Sequence, residues 1–463
     1  MKKFFRRTRQ TCDAMIDFCR RNVAGQTNCS AAFKAARRTL TALLIVASVV
    51  TASLVGATVK MYTATGEGYA WEDEPQEIAK LRARDKAIKK ATREAGVYLK
   101  TYSRSVNNEL TDDEVLAITS NSWQLVGEPK YTRKIINHSG DTQIIVWTAT
   151  VEVNVDDAEL QSWLKRDDKD KSTIITQTRE AQKSSEENER TVEDLRERYN
   201  RATSQAERDK IRQQMNQADR DFLADQKLDE GNRLYYAKDY YGAIKLYREA
   251  IKLKPDWSWP YNNRGIAYDD LKQYERAIQD YNKAIQLNPN YANAYLNRGA
   301  AYDELKQYER AIQDCNKAIE LDPNLAIAYN NRGVAYMDGL KQYERAIQDY
   351  NKAIQLNPNY AEAYNNRAFA YCLLKKNYDQ ALSDANKALQ LLPNSAPIYD
   401  TRGCIYLAMK NYDKALEDFN AALQLNPNLA ETYFNRGLCY QKLGDNAKAQ
   451  ADFARAKQLG YNG

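Results

Sequence analysis

Residue types that commonly carry catalysis or bind metals are sparse in this sequence. His138 is the only histidine among 463 residues, which excludes histidine-based triads, zinc sites with two histidines and histidine proton relays. The cysteines form no C-x-x-C pair and are too few for a disulfide scaffold; they are Cys12, Cys19, Cys29, Cys315, Cys372, Cys404 and Cys439. We therefore expect reduced cysteines in cores, no metal, no cofactor and no enzymatic activity.

Polar chemistry instead recurs with a fixed period in the second half of the chain. An arginine returns at steps of 34 or 35 residues, at Arg264, Arg298, Arg332, Arg367, Arg402 and Arg436. The residue before it is Thr401 in one unit and asparagine in the others, namely Asn263, Asn297, Asn331, Asn366 and Asn435. A carboxamide both donates and accepts, so a row of asparagines can pair with the backbone of an extended peptide. The alternative is that these asparagines form hydrogen bonds within the protein.

The period itself predicts the fold of this half. Residues 271–292 and 340–361 are identical, and residues 305–326 differ from them at only a few positions. Units close with a proline, at Pro289, Pro323, Pro358, Pro393 and Pro427. This pattern resembles the tetratricopeptide repeat, which implies pairs of helices stacked into a superhelix. The resemblance covers residues 224–463 and implies seven units, whose recurring tyrosines explain the excess of 33 tyrosines over 9 phenylalanines in the chain.

The same resemblance implies a ligand surface. In such arrays the first helix of each unit lines a concave groove, and the asparagine row looks like that of the repeat superhelix in O-linked N-acetylglucosamine transferases. Acidic residues share this face in the earlier units, at Asp269, Asp270 and Asp303, whereas Cys372 and Leu407 follow in later units. We predict that the asparagines and these three aspartates bind peptide in a groove that grades from acidic to apolar.

Residues 60–164 have the changing periodicity of a small α+β domain. The pattern predicts a strand over 61–70 with close backbone approach at two glycines, a helix over 77–97, and strands over 123–136 and 143–155. The region resembles the N-terminal domain of flagellar assembly protein T and of LPP20-type lipoproteins, which implies a location in the bacterial cell envelope. The segments that carry the likeness are Gly66–Ala70, Ala95–Leu99, Asn108–Glu114 and Val151–Val155.

Residues 165–223 predict a charged helical connector. A capping box at Ser204 predicts two helices that meet near Thr203. Apolar positions step by three and four within each of two groups, Val192, Leu195, Tyr199 and Ala202, then Ile211, Met215, Ala218 and Phe222. Two interpretations remain open. The connector either self-associates with a second copy as a coiled coil or serves as a solvated spacer.

The N-terminal segment predicts export. Residues 1–38 form a basic leader, and the uncharged run over 39–59 is long enough to span a bilayer as a transmembrane or signal helix. The basic side of such a span stays in the cytoplasm. The chain is then a single-pass membrane protein with exported repeats, or it is secreted or periplasmic after cleavage near Ala57, where small residues suit signal peptidase.

These regions together predict a mainly α protein: an N-terminal membrane-spanning or signal helix, a small α+β domain, a helical spacer and a tetratricopeptide α-solenoid of about seven helix-turn-helix repeats. A net charge of +6 excludes a uniformly basic nucleic-acid binder. We expect an envelope-located scaffold or adaptor that binds extended segments of partner proteins in its concave groove. The alternative is an assembly or chaperone factor of an envelope complex, which docks through residues 60–164.

Overall fold

The computed structural model describes residues 59–71, 76–105, 110–121, 123–137, 143–156, 163 and 168–461. None of the helices within these ranges is long and apolar enough to cross a membrane. The basic leader, His138 and the predicted span at 39–59, except for Val59, lie outside the described residues.

The small domain is built on a four-stranded antiparallel sheet. Its strands are β1 (Val59–Trp71), β2 (Trp123–Leu125), β3 (Lys130–Asn137) and β4 (Gln143–Asp156). The long strand β4 is central, with β1 along one edge and both β3 and β2 along the other. The single strand predicted over 123–136 is therefore two strands. They are separated at Gly127, whose φ of 73° suits only a turn.

Helix α1 (Gln76–Ser105) packs closely on β1. A Cβ atom at Gly68 would lie 1.9 Å from the carbonyl oxygen of Ala79 in α1, so only glycine permits this contact. The predicted close approach is confirmed. The helix continues beyond Gly96, near which it was predicted to end, because the bare glycine faces Val115 of α2 (Asp112–Asn121). A Cβ there would lie 3.1 Å from Val115 Cγ1.

The connector forms two antiparallel helices, α3 (Asp168–Arg201) and α4 (Gln205–Tyr236). Ser204 caps α4, and its hydroxyl accepts a hydrogen bond from the Glu207 amide at 3.3 Å, as the capping box predicts. The apolar positions of the two helices are buried against each other within one chain; they are Val192, Leu195, Ala202, Ile211, Met215 and Ala218. The stripe that could have formed a coiled coil between two copies is thus already covered.

Helix α4 also begins the helical array. The boundary predicted between residues 223 and 224 lies inside this continuous helix, whose later residues Ala224 and Leu228 pack in the core of the first repeat. The predicted spacer is therefore not a separate rod. It shares a helix with the array, and its other helix packs on the small domain through Ile174.

Seven antiparallel helix pairs make up the array. After α4 come α5 (Tyr240–Leu253), α6 (Ser258–Asp270), α7 (Tyr274–Leu287), α8 (Ala292–Glu304), α9 (Tyr308–Leu321), α10 (Ala326–Val334), α11 (Tyr343–Leu356), α12 (Ala361–Leu373), α13 (Tyr378–Leu391), α14 (Ala396–Ala408), α15 (Tyr412–Leu425), α16 (Ala430–Lys442) and α17 (Asn446–Gln458). Contacts between the first helices of successive repeats recur along the array, which places these helices on its inner side.

Two repeats contain one extra residue each, and the array absorbs them differently. In the fourth repeat the extra residue widens the end of α10 into a π-helical turn, Ala335–Gly339, and the following loop keeps its length. In the fifth repeat the loop does lengthen, and both Lys375 and Asn377 adopt positive φ, at 53° and 55°. Both insertions leave the helix pairing intact.

Candidate functional site

An ion pair between a partly buried arginine and a buried aspartate fixes the first helix of each repeat from the second onward. In the fourth repeat the guanidinium of Arg332 donates two hydrogen bonds to the carboxylate of Asp349, at 2.8 and 2.6 Å, and a third to Asn316 of the preceding repeat at 2.6 Å. These bonds to Asp349 raise the pKa of Arg332, against the opposing effect of burial. The same bidentate pair recurs as Arg264–Asp280, Arg298–Asp314, Arg367–Asp384, Arg402–Asp418 and Arg436–Asp452. The periodic arginine is therefore structural.

The asparagine row lies beside these pairs and links neighbouring repeats. The Nδ2 atom of Asn297 donates to Asn262 at 3.1 Å, and that of Asn366 donates to Asn330 at 3.1 Å. Asn263 donates to Asn232 at 3.0 Å and is buried. Each contact joins one repeat to the repeat before it, which is the within-array bonding left open as an alternative.

The remaining two members of the row are held more weakly. Asn331 accepts from Asn330 at 3.5 Å, the limit of a hydrogen bond, and Asn435 donates to the sulfur of Cys404 at 3.4 Å. The oxygen atoms of Asn297 and Asn366 accept no hydrogen bond within the described residues. One side of those two carboxamides is therefore available to a ligand even though the other side is structural.

The predicted acidic residues lie at the ends of the first helices. Asp270 accepts a hydrogen bond from the Tyr235 hydroxyl at 2.6 Å, and Asp269 is its neighbour in α6. Burial, with the charges of Asp338 and Glu304, raises the pKa of Asp303 to about 6. Like charges from successive repeats thus accumulate on one stretch of the inner side, and a cationic ligand group would relieve their repulsion.

Helix α3 contributes a contact to the inner side that the sequence did not predict. The Nε2 atom of Gln177 donates to Asn263 at 3.2 Å, and its Oε1 accepts from the hydroxyl of Tyr236. One helical turn later, Glu180 accepts from the Tyr291 hydroxyl at 2.9 Å. The connector therefore lies against the inner wall of the second and third repeats.

A second concave feature lies where the small domain, α3 and α4 meet. This cleft of about 440 Å³ is lined by side chains of both signs, among them Lys89, Glu189, Asp229 and Arg233. Burial, with the nearby charge of Asp85, raises the pKa of Asp229 to about 6, although Lys89 and Arg233 oppose the shift. Because its charges are mixed, the cleft favours no single class of ligand.

Family models identify the array. The matches, described as tetratricopeptide repeat or TPR repeat, cover residues 231–271, 258–291, 292–325, 315–348, 340–375, 403–444 and 430–459. The array is built of tetratricopeptide repeats (TPRs). All of these matches lie within the array, so the resemblance of residues 60–164 to flagellar assembly protein T and LPP20-type lipoproteins stays a prediction.

Solved structures of other TPR proteins are similar to this chain. A tetratricopeptide repeat protein from Parabacteroides merdae is 22% identical with a TM-score of 0.44, and the alignment covers 52% of this chain and 94% of that one. PilF of Pseudomonas aeruginosa is 19% identical with a TM-score of 0.42, covering 49% and 98%. YrrB, described as a TPR protein with an unusual peptide-binding site, is 25% identical with a TM-score of 0.33, covering 40% and 95%. No curated protein matches the chain.

Sequence reasoning missed two groups of residues in this TPR groove. The first comprises the ion-pair aspartates, which recur with the same period as the arginines and could have been found 16 or 17 residues after each one. The second comprises Gln177, Glu180 and Tyr291, whose contact joins residues up to 111 positions apart. A polar helix face carries no periodic signal that would reveal such a contact.

Proposed function

We propose that this protein is a scaffold or adaptor whose TPR groove binds segments of partner proteins. The observation that carries the proposal is that the inner wall already holds a polypeptide segment, because Gln177 of α3 pairs there with Asn263. Both of these side chains are nearly excluded from water, at 4% and 3% exposure. A surface that satisfies one buried carboxamide from outside the array is suited to satisfy polar groups of other segments.

The later repeats offer the most accessible part of this groove. Leu373 at the end of α12 is 37% exposed and Met409 just after α14 is 40% exposed, while Asn366 keeps its oxygen available. The acidic stretch around Asp303 and Asp338 lies before them in chain order. We expect a partner segment that places apolar residues on the later repeats and a basic residue near these aspartates.

Site-specific photocrosslinking in cells tests this function. A benzophenone amino acid at Leu373 should capture a distinct partner, whereas the same group at Glu417, an exposed residue of α15, should not. Identical products from both positions would refute groove binding.

The asparagine row is tested with the partner so captured. Changing Asn297, Asn331 and Asn366 together to alanine removes contacts of about 1 kcal/mol each, so affinity should fall by roughly two decades. The thermal melt of the triple variant is measured alongside. Normal binding with a much lower melting temperature would assign the row to structure alone.

We also propose that the repeats are exported to the cell envelope. The basic leader 1–38 and the uncharged run 39–59 support this, since together they have the form of an export signal or anchor. An alkaline phosphatase fusion after residue 463 should be active. Activity of a reporter that folds only in the cytoplasm would place the repeats on the other side.

A second candidate function is an envelope assembly factor that docks through the small domain. It is favoured by exposed apolar side chains on β3, a strand that pairs along only one edge within the described part of the chain: Ile135 is 43% exposed and Ile136 is 41% exposed. Such an edge can accept a strand from another protein. Changing Ile135 to lysine should then abolish assembly while crosslinking at Leu373 persists. If both assembly and crosslinking persist in this variant, β3 is not the docking surface.

A further inference from the structure

The face of α3 that meets the array is short and polar. Gln177 uses both ends of its carboxamide, donating to Asn263 at 3.2 Å and accepting from Tyr236. Glu180, three residues later and so on the same face of the helix, accepts from Tyr291 at 2.9 Å. These two side chains reach the first helix of the second repeat and the loop before the third. A helix thus lies where a ligand of those repeats would lie.

The contact at Glu180 is weaker than its burial suggests. Within the described residues this carboxylate has one hydrogen bond, from Tyr291, and forms no ion pair. The titratable groups beside it are Arg179 and Lys183 of its own helix and Tyr291 of the array, and the two cations pair with Asp113 and Glu187 instead. A partly buried carboxyl group that has a single hydrogen bond and no cation beside it gains little from the contact, so the groove holds this part of α3 loosely.

Other turns of α3 are held by different contacts. Ile174 is buried in the apolar cluster of the small domain, and Val192 and Leu195 are buried against α4. Loss of the three hydrogen bonds made by Gln177 and Glu180 therefore leaves α3 attached through these other turns. The turn that carries Gln177 and Glu180 can separate from the groove without unfolding the protein.

We infer that α3 is a resident ligand of the second and third repeats, and that a partner segment gains this part of the groove only by displacing it. Gln177 and Glu180 mimic the segment that these repeats recognise, a helix with an amide and a carboxylate one turn apart. The inference rests on the proposed function in one respect, namely that the segment which displaces α3 belongs to a partner protein. The occupancy of the groove by α3 is independent of it.

The test uses the full-length chain and a fluorescein-labelled peptide of residues 168–187 as the probe. Wild-type protein should bind the peptide weakly, because its own α3 fills the site. The double variant Gln177→Ala, Glu180→Ala should bind it at least about tenfold more tightly in fluorescence anisotropy, and a peptide carrying the same two substitutions should not bind. The matched control Arg190→Ala, at an exposed residue of α3, should behave as wild type.

A second variant distinguishes release of α3 from misfolding. Tyr291→Phe removes only the hydroxyl group that donates to Glu180. It should therefore speed hydrogen exchange of the α3 amides at 176–183 and also weaken binding of the added peptide. If the double variant keeps its melt but binds the peptide no better than wild type, or if wild type binds as tightly as the double variant, α3 is not a resident ligand. Unaltered crosslinking at Leu373 in the same proteins would show that the proposed function survives that failure.

Discussion

Adding a single methyl group should affect the stability of two neighbouring TPR units differently. In most repeats a glycine of the first helix faces an aromatic ring of the second, and a Cβ on Gly333 would lie 2.6 Å from Cε1 of Tyr350. In the third repeat Cys315 replaces the ring, and a Cβ on Gly299 would lie 3.4 Å from its sulfur and 3.3 Å from the nearest backbone oxygen. Gly333→Ala and Gly299→Ala are therefore the same substitution in a site that a ring already fills and in a site that is tight but not filled.

The two outcomes differ in magnitude. Tyr350 is fully buried, so its ring must shift by nearly an ångström to admit a methyl group, and overpacking of this kind costs about 1–3 kcal/mol. Replacing glycine by alanine inside a helix returns about 1 kcal/mol. We expect Gly333→Ala to lower the free energy of unfolding by about 1 kcal/mol. For Gly299→Ala the close contacts offset most of that gain, so we expect the free energy of unfolding to change by less than about 0.5 kcal/mol.

Urea unfolding followed by circular dichroism gives the shift in midpoint, and hydrogen exchange of α10 and α11 localises it, since repeat arrays open in parts. The penalty of Gly333→Ala should disappear in a Tyr350→Ala background, which reproduces the natural alanine pair of the fifth repeat, Ala368 with Ala385. Equal effects of the two glycine substitutions would refute this account of the packing.

Two further predictions concern charge. Arg332→Lys should destabilise the protein by about 1–3 kcal/mol, because an ammonium cannot make the paired bonds to buried Asp349, whereas Arg345→Lys at an exposed site should be neutral in the same urea assay. Burial raises the pKa values of Glu180 and Asp225 to about 7, so the folded chain holds protons that the unfolded chain releases between about pH 4 and 7. The free energy of unfolding should therefore fall as the pH rises from 5.5 to 8. A Glu180→Gln, Asp225→Asn variant should show a flatter dependence on pH, and an unchanged dependence would exclude these two groups as its cause.

The repeats could be predicted because their stabilising contacts recur with the sequence. The small residue recurs in every unit, the arginine in all but the first and the closing proline in all but the last, so one period predicts all the helix pairs. The capping box at Ser204 likewise predicted a helix start, since its bond spans only three residues. Local and periodic contacts leave a signal in one sequence.

Contacts between distant regions left no such signal. The polar contact of Gln177 with Asn263 joins residues 86 positions apart through side chains that look like any solvated pair. The extra residue at Gly339 was visible, but its place in a π-helical turn depends on the Tyr308 ring, because a Cβ on Gly339 would lie 2.1 Å from that ring. The asparagine row is ambiguous for the same reason, since one carboxamide can serve both the array and a ligand.

The packing of small residues against rings has a consequence for how the gene can change. The identical stretches 271–292 and 340–361 each supply a second helix whose tyrosine faces a glycine, Gly265 in one unit and Gly333 in the other. Crossing over between them would remove or duplicate two complete units and still set a ring against a glycine at the new junction. Exchange with the fifth repeat would instead drive a tyrosine into Ala368. Recombination between these two stretches can therefore change the number of repeats by two whole units and keep the packing. Recombination that joins one of them to the fifth repeat would disrupt the packing.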